Sequence, residues 1–204
     1  MTKIDMKKQY AELFNPPVKN VVEVDVPCMN YLMINGNGDP NNSEKFNNCV
    51  ESLYSVAYTL KFMCKKEVPA LPDYVVPPLE GLWWCDDMKL FSIEDKSAWK
   101  WTLMIMQPEF INTADVEKAS VTAYAKKQIE AIKEVRFENY HEGRCAQIMH
   151  IGPYSDETPT ILKLHNFIKE NGHSLRGFHH EIYLSDPRKA DPAKMKTIIR
   201  QPFE

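Results

Sequence analysis

The stretch HHEIYLS (179–185) decides how the second half of the chain folds, because polar and apolar residues alternate along it as in a half-buried strand. Successive side chains of a strand point to opposite faces, so His179, Glu181 and Tyr183 share one face. The apolar Ile182 points the other way and suits a core beneath helices. Two interpretations of the polar face stay open: a solvated surface, or a carboxylate that lines an aromatic pocket.

The residues on both sides of this strand predict a strand-helix-strand-strand order for the second half of the chain. The segment VRFENYHEGRCAQIMHIG (135–152) is expected to form a hairpin that turns at Glu142 and Gly143. A helix is expected to start at Thr158, which is followed by a proline, as helix starts often are. The segment MKTIIRQPF (195–203) is expected to be the last strand.

The first half of the chain shows the same order. Its predicted elements are a strand over 21–36 that is continuous or broken at Pro27, a helix capped by Ser43, a strand over 73–86 that Pro77 and Pro78 interrupt, and a strand over 99–110. A further helix is predicted over 114–133. Within the first half, PLEGLWW (78–84) occupies the place that HHEIYLS has in the second, so Glu80 and Glu181 correspond.

These patterns predict an α+β fold built from duplicated β-α-β-β modules with pseudo-twofold symmetry. The sheets are expected to be antiparallel, with helices on one face. Module one is expected at about 21–110 and module two at about 134–203, preceded by a polar arm at 1–20, all within a single domain over 21–204.

The composition excludes several classes of protein. The 204 residues are 44% hydrophobic and 26% charged, which is typical of a globular chain and excludes disorder. A net charge of −3 argues against direct nucleic-acid binding, and only seven glycines argue against phosphate-binding loops. Five cysteines without a C-x-x-C spacing favour reduced thiols in a cytoplasmic protein. No apolar run is long enough for a membrane span, and the N-terminus lacks the features of a signal peptide.

Tryptophans mark the candidate ligand surface. Trp83 and Trp84 are adjacent in a predicted strand, so they point to opposite faces and at least one meets a second environment beyond the core. Trp101 lies in the next predicted strand. Indole rings suit planar aromatic ligands, although packing in the core remains an equal alternative for any one of them.

A carboxylate among such aromatics has a definite chemistry. Loss of water raises the pKa of the carboxyl group, which then acts as a general acid or base near neutral pH, or attracts a cationic ligand. The sequence does not choose between these uses. No metal or cofactor is implied, because neighbouring residues of His179-His180-Glu181 point to opposite faces and no known zinc spacing occurs.

Two long stretches resemble the GyrI-like small-molecule-binding family: EGRCAQIMHIGPYSDE (142–157) and FHHEIYLSDPRKADPAKMKTIIRQPF (178–203). The segment PPLEGLWW (77–84) resembles the stand-alone branch of that family. The resemblance implies a ligand groove between two β-α-β-β modules. It also implies that the acidic residue of the matching motif, Glu181, contacts the ligand, with Tyr183 after it.

Some stand-alone members of this family are hydrolases that open cyclopropane rings in DNA-alkylating natural products, so the resemblance implies a role in detoxification and drug resistance. In multidrug-responsive activators the domain is fused to a DNA-binding module, for which residues 1–20 are too short. The expected catalytic residues are Glu181, Glu80 and Tyr183, and the expected ligand-binding residues are Trp84, Trp101, Tyr140, His179 and Trp83.

The expected ligand is a small hydrophobic molecule that is planar or cationic. Two functions other than hydrolysis stay open. One is a binding module that sequesters such drugs without turnover, and the other is an interaction domain that inhibits a protein.

Overall fold

The computed structural model describes residues 3–41, 43–67, 72–86 and 96–204. The α-helices in these residues are α1 (Met6–Gln9), α2 (Ala11–Phe14), α3 (Glu44–Glu67), α4 (Thr113–Lys127) and α5 (Thr158–Glu170). The strands are β1 (Val22–Asn37), β2 (Leu79–Trp84), β3 (Lys100–Gln107), β4 (Arg136–Ile151), β5 (His179–Tyr183) and β6 (Lys196–Pro202). Short 3₁₀ helices cover Glu130–Glu134, Tyr154–Asp156 and Pro192–Lys194.

The predicted mixture of helices with an antiparallel sheet is confirmed. The strands are hydrogen-bonded in the order β1-β3-β2-β5-β6-β4, which closes as a barrel. The β1–β3, β4–β6 and β5–β6 pairs are all antiparallel. Each half of the chain has the expected strand-helix-strand-strand order, while a duplication with pseudo-twofold symmetry stays a prediction.

The chain divides into two compact units that are interleaved along the sequence. Unit 1 contains the residues up to Gln9, Met29–Pro77 and Trp83–Tyr140. Unit 2 contains Tyr10–Cys28, Pro78–Leu82 and His141–Glu204. Strands β1, β2 and β4 therefore contribute residues to both units.

In unit 1, α3 packs against β3 and α4. The predicted cap of α3 is confirmed, because the backbone N–H of Phe46 donates to Ser43 Oγ at 3.2 Å. Strand β1 passes close to the Trp101 ring at Gly36, where an added Cβ would lie 2.0 Å from the ring. Only glycine fits this position, and the Trp101 indole donates to the carbonyl oxygen of Gly38 at 3.3 Å.

In unit 2, α5 packs against one face of β6 and its neighbour β4. The core beneath the helix contains Ala146, Ile148, Leu164, Ile168, Ile199 and Phe203. Ile199 is the direct cross-strand partner of Glu181, so the Glu181 side chain lies on the face that the helix covers. The expectation that the Ile182 face lies beneath the helix is therefore wrong. Ile182 is fully buried on the opposite face.

The expected hairpin at 135–152 is also wrong, because β4 runs without a turn from Arg136 to Ile151. Gly143 has φ +71, a left-handed conformation that occurs in β-bulges as well as in turns. A glycine at this position is therefore compatible with a turn, but β4 continues through it.

Smaller differences concern the ends of elements. The predicted polar arm contains α1 and α2, and Leu13 and Phe14 of α2 are buried. The predicted helix over 114–133 ends at Lys127, because Gln128 adopts φ 54 and its backbone N–H closes the last turn on Tyr124. Strand β1 is continuous through Pro27.

The part of the chain that the structure describes contains no helix that is both long and apolar enough to cross a membrane.

Candidate functional site

Strand β5 carries the residues of the candidate site. Burial alternates along it: His180 and Ile182 are fully buried, whereas His179, Glu181 and Tyr183 keep some exposed surface. The side chains of His179 and Glu181 are 11% and 13% exposed. This face of β5 is therefore nearly enclosed, and Glu181 retains only a small exposed fraction.

The structure brings together the three residues that the alternation placed on one face. His179 Nε2 lies 3.1 Å from Glu181 Oε1, and the Tyr183 hydroxyl donates to Glu181 Oε2 at 2.9 Å. Each carboxylate oxygen therefore has one fixed neighbour. Such contacts hold a carboxylate in one orientation, as a group that positions water or a ligand requires.

The surroundings keep Tyr183 protonated. Burial, followed by the charges of Glu181 and Glu157, raises the pKa of Tyr183 well above its usual value of 10. The hydroxyl is therefore a hydrogen-bond donor at every physiological pH. The Tyr154 ring stands edge-on to the Tyr183 ring, with centroids 5.6 Å apart, and Tyr154 is 40% exposed. Aromatic surface thus borders the carboxylate.

Helix α5 adds an uncharged side chain near this face. Burial, and then the nearby His179, lowers the pKa of His165 from 6.5 to about 4. His165 is therefore neutral at physiological pH, so it adds no positive charge beside His179.

Glu80 lies on the other face of β5, away from Glu181. Its Oε2 atom is 3.0 Å from His180 Nε2, and His180 Nδ1 is 2.9 Å from Glu142 Oε1. His180 is adjacent to Glu181 in the strand, so its side chain points in the opposite direction. The two glutamates that correspond in the sequence therefore occupy separate environments within unit 2.

The environment of Glu80 is a buried charge network. Arg200 Nη1 lies 3.2 Å from Glu142 Oε2, and Arg200 also donates to Gln147 and to the backbone oxygen of Leu13. The four ionisable side chains of this network have almost no exposed surface: Glu80, Glu142, His180 and Arg200. Sequence reasoning missed the network, because Glu142 was assigned to a turn.

Within this buried network, the neighbouring charges favour the charged forms of Glu142 and His180. Burial alone would raise the pKa of Glu142, but His180 and Arg200 outweigh it and lower that pKa from 4.5 to about 2. Burial alone would lower the pKa of His180, yet Glu142 and Glu80 raise it from 6.5 to about 9. An imidazolium that donates to two carboxylates therefore links β2, β4 and β5.

The tryptophans lie in unit 1 and differ in exposure. Trp101 has no exposed surface and Trp83 is 4% exposed, so both are core residues. Phe46 joins them, with its ring 5.1 Å from Trp101 and 6.2 Å from Trp83. Trp84 and Tyr140 are half-buried, and Tyr140 stands edge-on to Tyr31 at 6.3 Å. Of the predicted ligand-binding aromatics, Trp84 and Tyr140 retain open surface.

Within the described ranges, no group of three or more histidine, cysteine, aspartate or glutamate side chains is arranged to hold a metal ion. The arrangement on β5 is instead an oriented carboxylate with two hydrogen-bonding neighbours and an aromatic border. Such a group attracts a cation, accepts a proton from water or fixes a polar atom of a ligand.

The chain is similar to several proteins of known structure. A conserved protein from Listeria innocua is 41% identical over 99% of this chain and 100% of its own, with a TM-score of 0.92. A hydrolase from the same organism is 40% identical over the full length of both chains, with a TM-score of 0.90. The C-terminal domain of EcmrR, at 13% identity and a TM-score of 0.53, shares the fold over 91% of this chain and 97% of its own.

No curated relative matches the chain. The sequence pattern of the GyrI-like small molecule binding domain matches residues 19–202, nearly the whole chain. The predicted family is thereby confirmed, and the chain belongs to the GyrI-like small-molecule-binding domain family.

Proposed function

We propose that this GyrI-like protein is a hydrolase that opens the cyclopropane ring of planar DNA-alkylating compounds by adding water. The observation that carries the proposal is the Glu181 carboxylate, held between His179 and Tyr183 on a face that is nearly closed to solvent. A carboxylate in such a place is a suitable general base, because it is oriented and only partly hydrated.

Two further facts support the proposal. The family binds small molecules, and one structure that is 40% identical over its full length is that of a Listeria hydrolase. Residues 142–157 and 178–203 resemble the family, and the segment PPLEGLWW (77–84) resembles its stand-alone branch. That branch includes hydrolases of cyclopropane rings.

The reaction balances with water alone. A cyclopropane ring conjugated to a dienone is electrophilic at its methylene carbon. Glu181 takes one proton from water as the water oxygen bonds to that carbon, and the strained C–C bond breaks. The released electron pair moves to the former carbonyl oxygen, which then takes up a proton. The product is a ring-opened alcohol that no longer alkylates DNA, and Glu181 loses its proton to solvent before the next cycle.

The other residues have supporting roles in this proposal. Tyr183 donates to Glu181 and orients it, so the tyrosine acts through the carboxylate. In unit 1, Trp84 and Tyr140 are proposed as ligand contacts, because both side chains are half-buried. Trp83 and Trp101 are proposed to support these contacts from the core. Glu80 is proposed to act through His180, which it contacts.

The test is mass spectrometry of a cyclopropane-containing DNA alkylator incubated with trace protein. We expect many equivalents of the compound to gain one water per protein molecule. Glu181→Gln should reduce turnover by about 10²–10⁴-fold while most binding is retained, because the amide keeps the shape but cannot accept the proton. Glu138→Gln is the matched control, since this glutamate is exposed on β4.

Two outcomes would overturn the hydrolase. Full turnover by Glu181→Gln would exclude this carboxylate as the base. An unchanged compound that co-elutes with the protein would instead identify a sequestering module, which needs the carboxylate and the aromatic surface but no positioned water.

A further inference from the structure

Helix α3 presents a ladder of aromatic rings to solvent. Tyr54, Tyr58 and Phe62 are spaced four residues apart, so their rings lie on one helix face. Ring centroids are 6.2 Å apart between Tyr54 and Tyr58 and 6.4 Å apart between Tyr58 and Phe62, with interplanar angles of 28° and 29°. Tyr58 and Phe62 are 46% and 50% exposed. We refer to these three residues as the aromatic ladder.

The ladder is unusual because α3 already has a complete core face. Leu53, Val56 and Leu60 are fully buried on the side that packs into unit 1. The opposite side of such a helix is normally polar, and a helix that is apolar on both sides is normally covered on both. Covering the ladder would remove large aromatic surfaces from water.

Charges at both ends of the ladder indicate what covers it. Glu51 lies seven residues before Tyr58 and Lys65 lies seven residues after it, and both are exposed. At 3.6 residues per turn these two side chains lie about 20° from Tyr58 around the helix axis. Along this side of α3 the order is therefore one acidic residue, the three rings of the aromatic ladder and one basic residue. We refer to these five residues as the stripe, and Tyr58 is at its centre.

This order is complementary to itself when reversed. If two copies of α3 pack antiparallel about Tyr58, Tyr54 of one copy faces Phe62 of the other, and Glu51 of one faces Lys65 of the other. Twofold-symmetric interfaces require this relation, in which residue i meets residue j and j meets i. Glu51 also contacts Lys127 at 3.1 Å, so two lysines would flank its carboxylate.

We propose that the aromatic ladder is the interface of a homodimer, in which a second copy of this chain packs its own α3 antiparallel against the first. The occupant is identified by the symmetry of the stripe: opposite charges meet at both ends and aromatic rings meet between them. This proposal does not depend on the hydrolase activity.

Sedimentation velocity over a concentration series up to about 100 μM tests the proposal. We expect a dimer for the wild-type chain and a monomer for Tyr58→Glu, because the variant places two carboxylates at the centre of the interface. The melting temperature should change little, since Tyr58 is exposed and glutamate is a good helix former.

A charge exchange tests the antiparallel register itself. Lys65→Glu places acid opposite acid at both ends and should weaken dimerisation about tenfold, and adding Glu51→Lys should restore it. Lys45→Glu, on the same helix but on another side, is the matched control. A wild-type chain that sediments as a monomer would overturn the proposed dimer. A dimer that survives Tyr58→Glu, or a Lys65→Glu defect that Glu51→Lys does not rescue, overturns the ladder as its interface.

Discussion

At the scale of single residues, Glu181 is defined by the two side chains that fix it. His179 and Tyr183 each contact a different oxygen of the carboxylate, and all three residues lie on one face because they are two apart in β5. The chemistry of the proposed site therefore depends on strand geometry as much as on residue type.

The contribution of Tyr183 can be measured by removing its hydroxyl. Tyr183→Phe should lower kcat by about 10–100-fold with a smaller change in KM, because a hydrogen bond to a charged group is worth about 1.5–3 kcal/mol and the carboxylate loses its orientation. Steady-state kinetics on the cyclopropane compound provide both constants. Tyr154→Phe is the control, and an unchanged kcat for Tyr183→Phe would contradict the orienting role.

The tryptophans should divide into two classes when they are truncated. Trp84→Ala should weaken ligand binding with little loss of stability, since Trp84 is half-buried. Trp101→Ala should destabilise the fold by about 3–5 kcal/mol, because its ring is fully buried against Gly36. Ligand titration and urea unfolding of both variants measure the two effects. A large loss of stability for Trp84→Ala would place it in the core.

At the scale of elements, Gly143 decides the path of β4. Its φ of +71 belongs to a region that alanine adopts only at a cost. Gly143→Ala should therefore destabilise the protein by about 1–2 kcal/mol, measured by urea unfolding. Crowding is not the cause, since the nearest atom to an added Cβ, on Arg176, is 3.6 Å away.

Gly143→Asn is the matched variant for this prediction. Asparagine enters the left-handed region more readily than alanine, so its cost should be smaller. Equal losses for the two variants would show that the side chain, and not the backbone angle, determines the effect.

Much of the element pattern was predictable because it follows from local spacing. The alternation in HHEIYLS predicted which residues share a face, and Ser43 predicted the start of α3. The path of β4 was not predictable, since a glycine after a glutamate is compatible with both a turn and a bulge. The face of β5 that lies on the side of α5 could not be predicted from the sequence. Both faces of that strand are largely buried, so no face is marked as the solvent-exposed one.

The candidate site was predictable in part for the same reason. The grouping of His179, Glu181 and Tyr183 depends only on neighbours in one strand. Glu80 is separated from Glu181 because β2 lies next to β5 in the sheet and Glu80 contacts His180. The spacing of residues along the sequence does not show which strands are neighbours. Arg200 was missed because a single arginine in an apolar strand carries no motif.

At the scale of the whole molecule, the buried network should determine how stability depends on pH. Glu142 contributes stability that is fully present above pH 4.5 and is lost as pH falls through about 2, because its pKa is lowered on folding. His180 contributes stability that is fully present below pH 6.5 and is lost as pH rises through about 9, because its pKa is raised. Melting temperatures should therefore be highest between about pH 4.5 and 6.5.

Thermal melts from pH 3 to 10 measure this dependence. His180→Gln should flatten the alkaline decline, whereas His141→Gln, at an exposed position, should leave it unchanged. A profile with the same alkaline decline in His180→Gln would mean that other groups cause it.

The interleaving of the two units has a consequence for protein synthesis. The Glu80–His180 contact joins residues 100 positions apart, and the network also needs Arg200. While a ribosome makes the chain, Glu80 and Glu142 emerge long before their cationic partners exist. The nascent chain therefore holds these acids in water until β5 and β6 have emerged, and the network of unit 2 can assemble only after β6 has left the ribosome.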